Sequence, residues 1–209
     1  MAPRTATART RLLEAARDVI RAKGYAATTV DDLCARAGVT KGAFFHHFRS
    51  KEALGVAAAD FWAETTSAMF AGAPYHAPDD PYERLLAYLR FRRDLLGAGE
   101  LDEITCLAGT MVQEVYDSAP AIRDACHAAI SGHAMTLTAD IRAAMEARGV
   151  TGFTPESLAL HTQAVLQGAF VLAKAGNSVA LARDSVDHLI RYVTLIFSHP
   201  REDTDEPVQ

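Results

Sequence analysis

Between Thr28 and Leu54 the chain reads TTVDDLCARAGVTKGAFFHHFRSKEAL, two short helical segments joined through one glycine with the start of a third attached. No other stretch restricts the fold so narrowly. Thr28 or Thr29 is placed to cap a helix over Val30 to Ala37, where Leu33 and Ala37 fall on one face at helical spacing. Gly38 supplies the positive φ that ends this helix, and Val39 packs the corner. Thr40 caps a second helix over Lys41 to Phe48, and a single glycine between two short helices lets them cross steeply, as a helix-turn-helix requires. Phe44 and Phe48, four residues apart, share the inner face. Thr40, Lys41, Gly42, Phe45, His46 and His47 are left outside, a short basic and aromatic surface suited to double-stranded DNA. The two histidines are adjacent, so they point to different faces and make a poor metal pair.

The charge distribution points the same way. Residues 1–52 hold 10 Lys and Arg against 5 Asp and Glu, whereas the rest of the chain holds 11 against 21, so a net charge of −5 conceals a basic N-terminal part. Arg4, Arg9 and Arg11 place further cations around the start of the first helix, where a tail can follow the phosphate backbone or enter a minor groove. The acidic remainder argues against an architectural nucleic-acid protein, which needs basic charge throughout.

From Gly38 to Leu54 the chain resembles the TetR family of transcriptional regulators, whose signature is close to G-V-T-K-G-A-F-Y-H-H-F-x-S-K-E-x-L. In that family the second helix lies in the major groove. The resemblance implies Thr40, Lys41, Gly42, Phe45, His46 and Lys51 as DNA contacts, with Thr29 near a phosphate at the start of the preceding helix. The family usually has Tyr where this chain has Phe45, which keeps the ring and lacks the hydroxyl donor.

The remaining pattern is helical, with no sustained alternation. Thr7 to Lys23 carries Leu12, Leu13, Ala16, Val19 and Ile20 on one face and stops at Gly24. Ser50 caps a longer helix to about Ala71 that links two domains, and Gly72, Pro74, Pro78 and Pro81 then break the chain. Asp80, Pro81 and Glu83 start a helix to about Leu96. Further helices are expected from Glu103 to Tyr116, from Ser118 and Pro120 to Arg148, from Thr154 and Pro155 to Ala175, and from Asp184 to Ser198. The expected architecture is all-α: a three-helix DNA-binding domain over 1–52, a helical effector-binding and dimerisation domain over 53–200, and a disordered tail over 201–209.

In the last two helices, Val186, Leu189, Ile190, Val193, Ile196 and Phe197 form one apolar stripe. Leu158, Val165, Ala169 and Leu172, with Gly168 and Ala173, form another. A terminal helix apolar over so much of its girth needs cover on more than one side, and the resemblance implies a homodimer with a four-helix bundle at its centre. Such a two-fold dimer suits a palindromic operator. In TetR-like proteins the C-terminal helices also surround a small-molecule effector, and its binding moves the linking helix and releases the DNA. Phe61, Trp62, Met69, Phe91, Met111, Gln113, Gln167 and Phe170 are the candidate lining, although residues of these types more often serve as plain core in a helical bundle.

Catalytic motifs are missing: there is no nucleophile elbow, phosphate-cradling glycine loop, H-E-x-x-H or paired E-x-x-H. No enzyme activity, cofactor or metal is expected, and a helical oxidoreductase or transferase without a recognisable motif is the alternative. No window is apolar enough to span a membrane, and the N-terminus lacks a signal-type apolar run, so a cytoplasmic protein is expected. Cys34, Cys106 and Cys126 are too scattered for a disulfide framework. One local resemblance concerns Cys106. A Cys-Leu pair opening a helix, with an acidic residue eight positions on (Glu114), resembles a TetR branch that responds to electrophiles or unsaturated carboxylates, although that branch usually has Gly where this chain has Thr105. Lys174 is the expected cation beside the sulfur, since an ammonium there raises the reactive thiolate fraction. Both residues also have ordinary structural readings, a buried thiol and a cation facing a helix C-terminus.

Overall fold

The computed structural model describes residues 6–97 and 99–198, and these are helical with no strand among them. The elements are α1 (Ala8–Lys23), α2 (Val30–Ala37), α3 (Lys41–His47), α4 (Lys51–Ala71), a short 3-10 turn (Pro74–His76), α5 (Pro81–Leu96), α6 (Leu101–Ile104), α7 (Leu107–Val115), α8 (Pro120–Met135), α9 (Thr138–Arg148), α10 (Pro155–Ala175) and α11 (Val179–Ser198). Arg4 and the tail expected over 201–209 lie outside the described residues.

Most helix starts carry the caps expected of them. Thr7, Thr29, Thr40, Ser50 and Thr154 each accept the backbone N–H three residues on, and Asp80 accepts that of Tyr82. Each cap satisfies an N–H that has no partner within its helix. Thr29, not Thr28, caps α2; the Thr28 hydroxyl is buried and donates to the Gly24 carbonyl at 2.6 Å.

Three expected boundaries differ. The helix expected from Glu103 to Tyr116 is broken at Thr105 and Cys106, both of extended backbone, with Cys106 Sγ accepting the Gly109 N–H at 3.4 Å. The helix expected from Ser118 to Arg148 is interrupted by a turn at Thr136 and Leu137, where Leu137 is buried. Neither break has a proline or glycine to announce it. The last helix begins at Val179, five residues before Asp184.

The described residues form two compact units, those within 1–72 and 100–133 and those within 73–99 and 134–209. In the first, Leu12, Ala16 and Ile20 of α1, Leu33 of α2, Phe44 of α3, Leu54 and Ala58 of α4, Leu107 and Met111 of α7, and Ile122 and Cys126 of α8 belong to one continuous core. Here α4 lies wholly within the first unit. In the second, α5, α9, α10 and α11 pack together, with Tyr88 and Leu89, Ile141, Leu166 and Ala169, and Val186, Leu189 and Val193 buried. The stripe of α11 read from the sequence is therefore mainly the core of its own unit.

Candidate nucleic-acid interface

The turn between α2 and α3 is built from local hydrogen bonds. Gly38 has φ 62° and ψ 43°, and its N–H bonds back to the carbonyls of α2. An L side chain is strained in that left-handed region. Arg11 Nη1 of α1 donates to the Gly38 carbonyl at 3.4 Å, which ties the turn to the first helix. At the head of α2, Thr29 and Asp32 form a reciprocal capping box, and Lys23 Nζ lies 2.6 Å from Asp32 Oδ2. The Lys23 ammonium and the Thr29 hydroxyl hold the Asp32 carboxyl far below the ordinary carboxylate range.

The outer face of α3 holds Thr40, Lys41, Gly42, Phe45 and His46, all exposed. Phe44 and Phe45 divide the labour sharply: Phe44 is 0% exposed and Phe45 56%. Their rings meet edge to face with centroids 5.1 Å apart, and Phe48 stands 6.0 Å from Phe44 on the inner side. A Cβ at Gly42 would meet only Thr40 Oγ1 at 3.7 Å, so nothing within the chain demands glycine there. The space above it is open to a partner. Lys41 Nζ pairs with Asp31 at 2.8 Å, both side chains being largely exposed. Arg9 lies over the Phe48 ring at 5.5 Å.

Two expected contacts have other duties. The Thr29 hydroxyl and N–H both donate to Asp32 Oδ2, at 2.7 and 2.8 Å. Lys51 turns inward: its Nζ donates to the carbonyls of Tyr25 at 3.1 Å and Thr28 at 2.9 Å and stands 4.4 Å from the Tyr25 ring centroid. The phosphate contact expected of Lys51 thus competes with three interactions that hold the α1–α2 turn.

Residues 12–58 match the family model described as bacterial regulatory proteins, tetR family. That stretch is a TetR-type DNA-binding region. The uncharacterized HTH-type transcriptional regulator YerO of Bacillus subtilis is 48% identical over 40 residues, which are 19% of this chain. That stretch spans only 14% of YerO. Over the whole fold, the reduced form of E. coli NemR superposes with a TM-score of 0.74 at 25% identity, covering 91% of this chain and 97% of NemR. A cysteine mutant of the TetR family regulator CifR, complexed with 26bp double-strand operator DNA, shares the fold with a TM-score of 0.72 at 20% identity, over 91% of this chain and 98% of that one.

The expected effector residues divide between the two units. Phe61, Trp62, Cys106, Met111 and Gln113 belong to the first, and Phe91, Gln167, Phe170 and Lys174 to the second. Met111 and Phe170 are buried in their cores, and Phe61, Trp62, Phe91 and Gln167 are half-buried. Met69 and Lys174 are exposed. So is Gln113, whose Nε2 donates to the Gly109 carbonyl at 2.8 Å. A hollow of about 360 Å³ in the second unit is lined by Arg142, Met145, Glu146, Gly149, Val150, Thr151 and Pro155, none of them among the expected residues. Among the described residues no group of His, Cys, Asp and Glu is placed to hold a metal ion.

Nothing in the local sequence foretells the surroundings of Cys106. Cys106 is among the groups near Arg21 of α1, a buried guanidinium packed 5.1 Å over the Trp62 ring, whereas Lys174 belongs to the other unit. Burial, followed by the nearby Cys106, pushes the Cys126 thiol up to about 12. Cys34 is likewise buried and pushed up, which leaves the half-buried Cys106 as the more accessible of the three. The hydroxyl of Thr105, next to it, is buried without a hydrogen-bond partner.

Proposed function

We propose that this chain is a DNA-binding transcriptional repressor that sits on a palindromic operator as a homodimer and leaves it when a small-molecule effector binds or a thiol is modified. The observation that carries this reading is the outer face of α3: Thr40, Lys41, Gly42, Phe45 and His46 exposed around a capped turn, on a domain of basic charge. A seven-residue helix is roughly 10 Å long and fits a major groove roughly 12 Å wide. Lys41 exchanges an exposed carboxylate, Asp31, for a phosphate at little cost, because exposed pairs contribute little. Residues 1–52 act as the DNA-reading part and 53–200 as the part that binds effector and partner, in the cytoplasm.

Selection from random DNA is expected to return an inverted repeat. Lys41→Ala should lower the slope of log affinity against log salt by about 1, the share of one phosphate contact, and Thr40→Ala should relax preference within each half-site. A selection that enriches no palindrome would sink the proposal.

The thiol route has its own test. Cys106→Ser is expected to bind the operator like the parent but to stay bound when a quinone or hypochlorite releases the parent. Equal release of both proteins would leave reversible effector binding as the signal.

A further inference from the structure

The turn from Gly24 to Thr28, which joins α1 to the first helix of the reading pair, is gripped from two helices at once. On one side Lys51 of α4 donates to the carbonyls of Tyr25 and Thr28. On the other, Glu114 of α7 reaches across the chain and its Oε2 accepts the Ala26 N–H at 2.6 Å. A Cβ at Gly24 would overlap Glu114 Oε1, and Gly24 has φ 87°, so the absence of a side chain there is what admits the carboxylate. Tyr25 anchors the turn in the core it shares with α7, whereas Ala26, Ala27 and Glu114 are all exposed, so the contact at Ala26 is made by the carboxylate and not by apolar packing. The tie is polar and directional.

We infer that Glu114 is a positioning residue for DNA binding: it sets where the α2–α3 pair stands by holding the turn that leads into it. The inference rests on the DNA-binding reading above. A hydrogen bond to a carboxylate weakens steeply once donor and acceptor separate beyond about 3.5 Å. A displacement of α7 by about 1 Å against α4 therefore releases the turn from Glu114 while Lys51 still holds it. Cys106 caps the N-terminus of the same α7, so a change at that cap reaches the reading pair through one rigid helix. Glu114 is exposed and adds nothing to the buried core, so its removal is expected to leave the fold intact.

The experiment compares Glu114→Ala and Glu114→Gln with the parent, all as full chains. Amide hydrogen exchange over residues 24–37 reads the turn directly, and affinity for the selected palindrome reads the consequence. Glu114→Ala is expected to exchange faster at Ala26 and along α2, and to bind DNA more weakly on the order of five-fold, one charged hydrogen bond discounted for its exposure. Glu114→Gln keeps a carbonyl oxygen to accept the same N–H and is expected to restore both. Unchanged exchange in Glu114→Ala overturns the inference whether or not a palindrome is found. Faster exchange with parental affinity overturns the positioning role, as does equal weakening in both variants. A parent that selects no palindrome defeats the DNA-binding reading instead, and the exchange data still decide whether Glu114 holds the turn.

Discussion

Phe44→Ala is expected to destabilise the protein by about 3–5 kcal/mol, the cost of emptying an aromatic-sized site in a packed core. Phe44 is fully buried in the core cluster, and α3 packs against α1 and α2, so the cavity opens between three helices. A loss of that size is a large share of the roughly 5–15 kcal/mol that keeps a domain folded. Phe45→Ala, one residue later, is expected to change stability by less than about 1 kcal/mol because its ring is 56% exposed, and to weaken DNA binding instead. Urea denaturation read by helix content, beside operator titration, separates the two. Equal midpoints for the two variants would show that α3 does not pack by its Phe44 face.

Charges on the outer rows of α10 and α11 are expected to convert the protein to monomers and abolish operator binding together. Leu160, Val171 and Leu172 on α10, and Leu181, Tyr192 and Leu195 on α11, are exposed large apolar side chains. Ala164 and Gly168 lie exposed in the α10 row and allow close approach, and the His161 and Tyr192 rings meet at 5.3 Å between the two helices. Leu172→Glu with Leu195→Glu would place unpaired charge in the proposed interface at a cost of several kcal/mol while sparing the fold. Leu189 and Val193, although they belong to the stripe read from the sequence, are 2% and 0% exposed within one chain. Leu189→Glu is therefore expected to unfold the second unit. Sedimentation velocity on the outer double variant distinguishes monomer from dimer, and a persisting dimer would place the interface elsewhere.

Helix caps and the α2–α3 turn were legible because each depends on hydrogen bonds within a few residues. Thr29, Thr40, Ser50 and Thr154 bond to amides three positions away, and Gly38 ends α2 by its own backbone freedom. The same locality is why sequence divided inner from outer residues in α3 correctly: Phe44 is buried and Phe45 exposed. The breaks at Thr105 and Thr136 were not legible, since no glycine or proline marks them.

By itself the sequence determined an all-α chain whose residues 12–58 are a TetR-type DNA-binding region, because periodicity, caps and one glycine are short-range properties. Only the tertiary structure decided which face of α11 is inner, that α7 and α8 share a core with the reading helices, that Cys106 and Lys174 belong to different units, and that Lys51 and Glu114 grip one turn. Those facts join residues far apart along the chain, and their pairing follows from how amphipathic helices pack, which no single helix's pattern specifies.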